Sequence, residues 1–320
     1  MGNALVDVMT MIDSDTLLTG LNLPKGSMQL VDYVAIKRIL HRTSGMVTKL
    51  ASGGSAANTI HGLANLGVST AFIGKTGNDK HGVFFGDDMK KAKIEANLLH
   101  SDSATGMAIA LISPDSERTF ATYLGAAAEL SVTDLSIKLF NGYHFFHIEG
   151  YLVQNHELIK KAVELARSSG LQISLDLASY NVVESNLEFL KSLVSDYVDI
   201  LFANEEEARA FTGQEPTEAA RILGNFAGIA VVKTGKNGSF IFHNNELIKI
   251  SAINALPVDT TGAGDLYASG FIWGIINGKS LYQCGAVGSL LAGKVIEVIG
   301  AKIRQDDWKE IRRLLTTIID

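Results

Sequence analysis

The segment TTGAGD, residues 260–265, combines a glycine-rich loop with a carboxylate and the start of a helical pattern. Gly262 and Gly264 allow the backbone to approach a ligand closely. The free N–H groups at the start of the following helix favour an anion such as phosphate. A carboxylate is a poor phosphate ligand, so Asp265 is better suited to accept a proton from an attacking hydroxyl group. The alternative is an ordinary tight turn in which Asp265 caps the helix.

A second glycine-rich turn lies in LASGGSAANTIHGLANLG, residues 50–67. Gly53 and Gly54 precede a predicted helix whose first turns carry Ser55 and Asn58. An amide side chain both donates and accepts hydrogen bonds, which is what sugar hydroxyl groups require of a partner. Close packing of a helix against a strand explains the same turn equally well.

Asn204 and Glu207 in ILFANEEEARAFTG are three residues apart, at the end of a predicted strand and in the first turn of a helix. Both side chains can therefore face one spot, and their oxygen atoms suit a partly hydrated Mg²⁺ ion. The alternative is a capping box, with Asn204 as the cap and Glu207 as its reciprocal partner. The two interpretations can both be true.

Composition and charge limit the classes of partner. The chain has 320 residues, of which 47% are hydrophobic and 19% charged, as is typical of a soluble globular protein. A net charge of −6 argues against a nucleic-acid partner, because phosphate-backbone binding requires a basic face. Cys284 is the only cysteine, which rules out an intrachain disulfide and favours a reducing cytoplasm. The longest apolar segment is interrupted by Lys294 and Glu297, so we expect no membrane span.

The elements that must position these residues alternate between strand and helix. Buried-looking strands separated by amphipathic helices predict right-handed crossovers and a doubly wound, mostly parallel α/β sheet in a single domain, residues 1–320. The predicted strands are residues 3–9, 69–74, 143–150, 171–177, 198–204 and 229–235. The predicted helices between them include residues 55–67, 156–170, 186–196 and 217–228. In VVKTGKNGSFIF the strand ends at Lys233-Thr234-Gly235 and resumes after Gly238, which predicts a hairpin turn.

Two segments, residues 14–36 and 102–125, interrupt this alternation with strand-like patterns and no helix between them. Residues 105–113 and 117–125 flank the turn PDSE and predict a hairpin. We interpret both segments as a small antiparallel β lid inserted into the domain. Such a lid would cover a site in a monomer or form the interface of a homodimer.

The chain enters its first strand pattern directly after Met1, in GNALVDV. The first strand of a parallel sheet normally follows several other residues. We therefore expect either that the natural start lies upstream of Met1 or that this strand is unusually short.

Two of these motifs together resemble the signature regions of the ribokinase/PfkB-type carbohydrate and nucleoside kinases. They are GGSAANTIHGLANLG, from Gly53, and VDTTGAGDLYASGF, from Val258, and they occur in the family's order. The resemblance covers nearly the whole chain, and GNALVDV, GLNLPKGSMQLVD and IEGYL look most like the adenosine-kinase-like branch. It implies a doubly wound sheet with a small β lid. It also implies transfer of the γ-phosphoryl group of ATP, with Mg²⁺, to a hydroxymethyl oxygen of a sugar or nucleoside.

The resemblance also implies roles for individual residues. Asp265 matches the family's catalytic base, and its anion hole matches Gly262, Ala263 and Gly264. The positions that match substrate-contacting residues are Asp7, Gly53, Gly54 and Asn58, together with Glu149 and Arg118, which lie where lid or sheet residues approach substrate in relatives.

The nucleotide side of the site is implied in the same way. Thr234 and Gly235 match a turn that contacts the nucleotide, and Asn204 and Glu207 match an Asn-x-x-Glu element that influences Mg²⁺ and phosphate binding, with Glu207 acting through water. Asp259 and Thr261 lie where some members bind a monovalent cation such as K⁺. Whether the acceptor is adenosine-like or ribose- or fructose-like stays open. The alternative function is a non-catalytic sugar- or nucleotide-binding regulator on the same fold.

Overall fold

The computed structural model describes residues 1–115 and 117–319, and these residues form three β-sheets covered by helices. The strands are β1 (Leu5–Met11), β2 (Met28–Leu30), β3 (Thr48–Gly53), β4 (Ala71–Gly77), β5 (Glu95–Ser101), β6 (Gly106–Ile112), β7 (Arg118–Tyr123), β8 (Phe145–Glu149), β9 (Gln172–Asp176), β10 (Ile200–Asn204), β11 (Ile229–Lys233), β12 (Ser239–His243) and β13 (Glu246–Ile250). The helices are α1 (Thr16–Leu21), α2 (Tyr33–Arg42), α3 (Ser55–Asn65), α4 (Lys80–Lys91), α5 (His156–Ser168), α6 (Tyr180–Ser185), α7 (Leu187–Tyr197), α8 (Glu205–Thr212), α9 (Pro216–Leu223), α10 (Ala263–Ile276), α11 (Leu281–Val295) and α12 (Asp307–Ile319).

The main sheet has six strands in the order β13-β12-β11-β10-β9-β8. Strands β8 to β11 are parallel, and β12 and β13 add an antiparallel hairpin at one edge. Side chains alternate along β10, so that Ile200 and Phe202 pack with α10 and α11 while Leu201 and Ala203 pack with α5, α7 and α9. Helices therefore cover both faces, and the predicted doubly wound fold is confirmed.

The first residues of the chain join the main sheet to a parallel pair formed by β4 and β5. Gly2 N donates a hydrogen bond to Ile73 O (3.2 Å) in β4, and Glu149 N in β8 donates to Met1 O (3.3 Å). Met1 and Gly2 therefore lie between β4 and β8, and the two sheets form one continuous layer.

The small sheet has the order β2-β7-β6-β1-β3 and corrects the predicted lid in two respects. It is mixed rather than antiparallel, because β1 pairs in parallel with β6 and β2 with β7, while β6 and β7 form the predicted hairpin. It also contains β3 and β1, although the sequence pattern predicts β1 in the main sheet. Ser116, in the predicted PDSE turn, lies outside the described residues.

Residues 14–36 contain α1 and the first turn of α2, which contradicts the predicted run of strands. Only β2 is extended, and it is three residues long. Leu18 and Leu21 are buried side chains of α1 that lie three residues apart, a spacing that belongs to a helix rather than a strand. Asp32 then caps α2 by accepting a hydrogen bond from Ala35 N (2.7 Å). Local capping and the helical period therefore override the strand-like composition.

The two faces of the small sheet have different surroundings. Helices α1, α2 and α4 cover one face through a buried apolar cluster. On the other face, the registers of β1, β6 and β7 place Asp7, Met9 and Met11 on the same side as Ile112 and Arg118. This face therefore carries Asp7 and Arg118, two of the predicted site residues.

Helices α10 and α11 form the apolar layer behind the main sheet. They have 14 and 15 residues and pack closely against each other, and α10 also packs against α3. A helix that is apolar on all sides, like α10, is expected to be buried in this way. Within residues 1–115 and 117–319, no helix combines the length and apolarity that crossing a membrane requires.

Candidate active site

Four neighbouring strands of the main sheet end in polar residues at the same edge. Glu149 ends β8, Asp176 ends β9, Asn204 ends β10 and Lys233 ends β11. The parallel register pairs Glu149 with Asp176 and Asn204 with Lys233. Ligands of open α/β sheets bind outside the carboxyl ends of the strands, so this edge is the candidate site.

The start of α10 faces this edge and provides unpaired backbone donors. Gly262 adopts the left-handed conformation (φ 77°), and a Cβ there would lie 2.6 Å from Ala301 Cβ, so glycine is needed at this position. Within the described chain, the N–H groups of Gly262, Gly264 and Asp265 have no hydrogen-bond acceptor. Such free N–H groups at a helix start form a cradle for an anion.

Asp265 lies in the first turn of α10, and its carboxylate is fixed by two residues of α3. Oδ1 accepts a hydrogen bond from Ser55 Oγ (2.7 Å), and Oδ2 accepts one from Asn58 Nδ2 (2.9 Å). Burial raises the pKa of Asp265 to about 6, although both hydrogen bonds favour the ionised form. A carboxylate with such a pKa is a competent proton acceptor near neutral pH.

Lys233 brings a positive charge to the same cradle. Its Nζ lies 2.7 Å from Asp176 Oδ2, and it is 3.0 Å from the position that a Cβ on Gly264 would take. Burial opposes its charge, but Asp176 and Glu207 raise the pKa of Lys233 above the ordinary value, so it remains an ammonium group. The ammonium group and the free N–H groups together form a strongly anion-attracting spot beside Asp265.

Asn204 and Glu207 form the predicted capping box at the start of α8. Asn204 Oδ1 accepts a hydrogen bond from Glu207 N (2.9 Å), and the carboxylate of Glu207 accepts from Asn204 N (2.8 Å) and Nδ2 (2.7 Å). Burial and the nearby Asp176 raise the pKa of Glu207 to about 7. Of the described residues, no group of three or more His, Cys, Asp or Glu side chains can enclose a metal ion. Asp176 and Glu207 supply the carboxylate oxygens at this edge that a hydrated Mg²⁺ ion would need, and binding of the ion here stays a prediction.

Asp7 lies on β1 of the small sheet, against the glycine-rich turn. A side chain on Gly53 would overlap the Asp7 carboxylate, so the absence of a Cβ leaves room for it. Burial raises the pKa of Asp7 to about 7, and the nearby Asp265 and Asp259 act in the same direction. Among described residues, no hydrogen-bond donor contacts its carboxylate. The carboxylate is therefore free to accept hydrogen bonds from the hydroxyl groups of a ligand.

Gly54 and Glu149 fix the position of the glycine-rich turn at residues 53–54. Gly54 has a φ of 96°, and any side chain there would overlap Asn3 O. Glu149 is 1% exposed, and its carboxylate accepts hydrogen bonds from Asn3 N (2.8 Å), Asn3 Nδ2 (2.6 Å) and Ala56 N (3.0 Å). This geometry favours a structural part for Glu149, which fixes the start of α3, over direct substrate contact.

Arg118 reaches from β7 to the loop before α10. Its Nη1 lies 3.3 Å from Asp259 Oδ1, an atom that also accepts hydrogen bonds from Thr261 N (2.9 Å) and Oγ1 (2.7 Å). Asp259 Oδ2 accepts from Gly300 N (2.6 Å). Oδ1 of Asp259 therefore has three donors, whereas Oδ2 has one and keeps a lone pair. Binding of a monovalent cation at Asp259 and Thr261 stays a prediction.

Thr234 and Gly235 form the predicted turn between β11 and β12. Thr234 is buried and donates through N (2.8 Å) and Oγ1 (3.0 Å) to Gly238 O. Gly235 has a φ of 52° and open space around it. The turn lies directly after Lys233, beside the anion cradle, and its contact with a nucleotide stays a prediction.

Sequence reasoning missed Asp176 and Lys233 as members of the site. The patterns place Asp176 only in a strand and Lys233 only in a hairpin. Both are charged residues at the carboxyl end of a buried parallel strand, which is a signal that a sequence can show. What the sequence does not show is that β9 and β11 flank β10, which places both residues beside Asn204.

A cavity of about 740 Å³ opens at the opposite end of the main sheet. It is lined by residues before β4 and β8 and by the last turn of α10, including Val68, Tyr143, Trp273 and Ile276. It lies at the other end of α10 from Asp265 and is not part of the candidate site.

Comparison with known proteins identifies the family. The model of the pfkB family carbohydrate kinases matches residues 28–308. A probable sugar kinase from Rhizobium etli is 31% identical, covers 99% of this chain and 97% of its own, and superposes with a TM-score of 0.88. The adenosine kinase from Sinorhizobium meliloti is 32% identical, with 98% and 97% coverage and a TM-score of 0.87. A 5-dehydro-2-deoxygluconokinase from Listeria monocytogenes is 28% identical over 82% of this chain and 86% of that protein. The chain belongs to the pfkB family of carbohydrate kinases.

Proposed function

We propose that this kinase transfers the γ-phosphoryl group of ATP to a hydroxymethyl oxygen of a sugar or nucleoside, with Asp265 as the catalytic base. The observation that carries the proposal is the position of the Asp265 carboxylate, within the first turn of a helix whose N–H groups are free. A proton acceptor and an anion cradle are then adjacent, which is the arrangement that phosphoryl transfer to a hydroxyl group requires.

The acceptor would bind between the small sheet and the start of α3. Asp7 offers an uncommitted carboxylate to its hydroxyl groups, and the backbone at Gly53 and Gly54 can approach it closely. Asn58 orients Asp265 through Nδ2 and keeps a buried Oδ1 without a partner in the described chain, which can accept a hydrogen bond. An attacking hydroxyl group would thus be bound and deprotonated by residues of both sheets.

The transferred phosphoryl group would lie over residues 262–265. Free N–H groups and the ammonium group of Lys233 stabilise the negative charge that develops on its oxygens. Asp176 and Glu207 would hold Mg²⁺ through water, and that ion supplies charge neutralisation on the β- and γ-phosphate oxygens. Arg118 balances the charge of Asp259, so no step of the proposal depends on K⁺.

The remaining parts of the proposal concern the lid and the nucleotide. Thr234 and Gly235 would contact the nucleotide beyond Lys233, and Arg118 would hold the small sheet over the site, which excludes water. Residues 1–320 would act as one kinase domain, as a monomer or as a homodimer through the small sheet. The single cysteine fits a reducing cytoplasm.

The acceptor class is the part of the proposal that relatives leave open, since their names include sugar kinases and an adenosine kinase. The test is release of ADP from ATP and Mg²⁺ with adenosine, other nucleosides, D-ribose, D-fructose and phosphorylated sugars as acceptors. Stimulation by at least one acceptor supports the proposal and identifies its class. No stimulation by any of them, with retained ligand binding, would favour the non-catalytic regulator instead.

A further inference from the structure

Lys302, in the segment between α11 and α12, joins three elements behind the acceptor site. Its Nζ lies 2.5 Å from Asp88 Oδ2 on α4 and donates to Ser52 Oγ (2.6 Å) on β3. It also lies 3.1 Å from His61 Nε2 on α3. Ser52 in turn donates through its hydroxyl group to Asp88 Oδ2 (2.6 Å), so the four side chains form one closed network.

The donors and acceptors in this network determine the protonation states of its members. An ammonium group only donates hydrogen bonds, so His61 Nε2 must accept and the imidazole is neutral. Burial and the charge of Lys302 lower the pKa of His61 to about 3, in agreement with that state. Burial opposes the charge of Asp88, but Lys302 and Ser52 hold its pKa at about 2. The network is therefore a lysine–carboxylate pair with two neutral partners.

This network borders the part of β3 that shapes the acceptor site. Ser52 is fully buried and directly precedes Gly53, the residue whose missing side chain leaves room for Asp7. In the sheet register Ser52 pairs with Val6, the residue before Asp7. Fixing Ser52 through Lys302 therefore fixes the spacing between Gly53 and the Asp7 carboxylate.

Lys302 also opposes the unfavourable charges around Asp7. Burial raises the pKa of Asp7 to about 7, and Asp265 on α10 and Asp259 before α10 raise it further. Lys302 is the strongest influence in the opposite direction, and Lys49 on β3 is a second cation near Lys302. Lys302 thus supplies positive charge that offsets part of this effect.

We propose that Lys302 is a positioning residue for the acceptor, which fixes the strand that carries Gly53 and balances the charge of Asp7. Its loss then weakens acceptor binding and leaves the transfer step at saturating acceptor unchanged. The inference rests on the proposed function, because it assumes that Asp7 binds the acceptor. It does not involve the groups that contact the phosphate.

The test compares Lys302→Met with the wild type and with Lys294→Met. Lys294 is another partly buried lysine near the C-terminal end of α11, paired with Glu297 and Glu310. A cavity of about 160 Å³ bordered by Lys302, Asp88 and His61 gives water access to Asp88, so the Lys302→Met protein is expected to fold. The best acceptor of the wild type among adenosine, other nucleosides, D-ribose, D-fructose and phosphorylated sugars is titrated by calorimetry without nucleotide from pH 6 to 9. The kcat and KM for that acceptor are measured in parallel.

Removal of the charge should raise the pKa of Asp7. Because binding needs ionised Asp7, affinity falls as pH decreases through that pKa. In Lys302→Met the midpoint should move up by about one pH unit, and the dissociation constant at pH 7 should therefore rise about fivefold. We expect kcat to stay within about twofold, Lys302→Arg to retain most of the affinity, and Lys294→Met to match the wild type.

Unchanged affinity and midpoint in Lys302→Met would overturn the role of Lys302, as would a loss of kcat without a loss of affinity. If that variant does not fold, Ser52→Ala replaces it, with an expected loss of affinity of about threefold; unchanged affinity there overturns the role as well. A wild type that neither binds nor phosphorylates any acceptor overturns the proposed function itself. The two failures are thus distinguishable.

Discussion

Arg118 of the small sheet and Asp259 of the loop before α10 form an ion pair, with 3.3 Å between Nη1 and Oδ1. Arg118 Nη2 also donates to Val258 O (3.4 Å). The pair is well buried, with side-chain exposures of 14% and 3%. The small sheet is therefore tied to the loop that leads into the anion cradle.

This pair predicts that activity does not depend on a monovalent cation. The charge of Asp259 is already balanced by Arg118, and its two oxygens accept three further hydrogen bonds. Replacing K⁺ with Na⁺ or tetramethylammonium at constant ionic strength should change kcat by less than about twofold, a barrier change of under about 0.5 kcal/mol. Arg118→Gln removes the charge that balances Asp259, so we expect the activity of this variant to depend more strongly on the monovalent cation than that of the wild type. Activation of the wild type by K⁺ of about tenfold or more would contradict the assignment.

Lys233→Met should slow the transfer step, because it removes the cation beside the free N–H groups of α10. We expect kcat to fall by about 10²–10³-fold, the usual cost of one group that stabilises transition-state charge. The variant also leaves Asp176 buried and unpaired, which should lower the free energy of unfolding by about 3 kcal/mol. The double variant with Asp176→Asn is the control for stability alone: it should recover the free energy of unfolding, while kcat stays low because Asp176 is itself part of the proposed Mg²⁺ site. A single variant with kcat within about threefold of the wild type would argue against this role.

Gly53→Ala should weaken acceptor binding, because its methyl group overlaps the Asp7 carboxylate. We expect the acceptor KM to rise by about tenfold or more, while the KM for ATP changes little. The matched control is Gly86→Ala on α4, where a Cβ makes only an ordinary contact at 3.5 Å with Leu98. Equal effects of the two substitutions on the acceptor KM would show that Gly53 has no special role.

Asp265→Asn should change how stability depends on pH. The pKa of Asp265 is raised to about 6 in the folded protein, so its contribution to stability is present at low pH and is lost as pH rises through about 6. Asp265→Asn should therefore stabilise the protein by about 2 kcal/mol more at pH 8 than at pH 4. Thermal unfolding of both proteins at the two pH values measures this. A stabilisation by Asp265→Asn that is larger at pH 4 than at pH 8 would contradict this predicted pH dependence.

The alternation of strands and helices could be read from the sequence because it depends on local period. The runs around Phe202 and Val231 are apolar on both faces, and they are central strands of the main sheet. The small sheet was harder to predict, because its pairing depends on contacts distant in sequence. Leu5 of β1 pairs with Gly106 of β6, and nothing local to β1 indicates which sheet it joins.

The residues of the candidate site also divide into those that local sequence reveals and those that depend on contacts distant in sequence. The motifs around Asn58 and Asp265 could be found by residue type and resemblance, and the hydrogen bond between them spans 207 residues. Lys302 and Lys233 carry no motif of their own, and their importance follows from their neighbours in space. Glu149 shows the reverse case, since its position in a motif did not reveal that its carboxylate accepts three hydrogen bonds from Asn3 and Ala56.

The most direct test of the account is the kcat of Asp265→Asn with the best acceptor at pH 8, alongside acceptor binding by calorimetry. The substituted asparagine would keep the size of the side chain but could not accept the proton of the attacking hydroxyl group. We predict a fall in kcat of about 10³-fold or more with acceptor affinity within about threefold of the wild type. A kcat close to that of the wild type would contradict the role of Asp265 as the catalytic base.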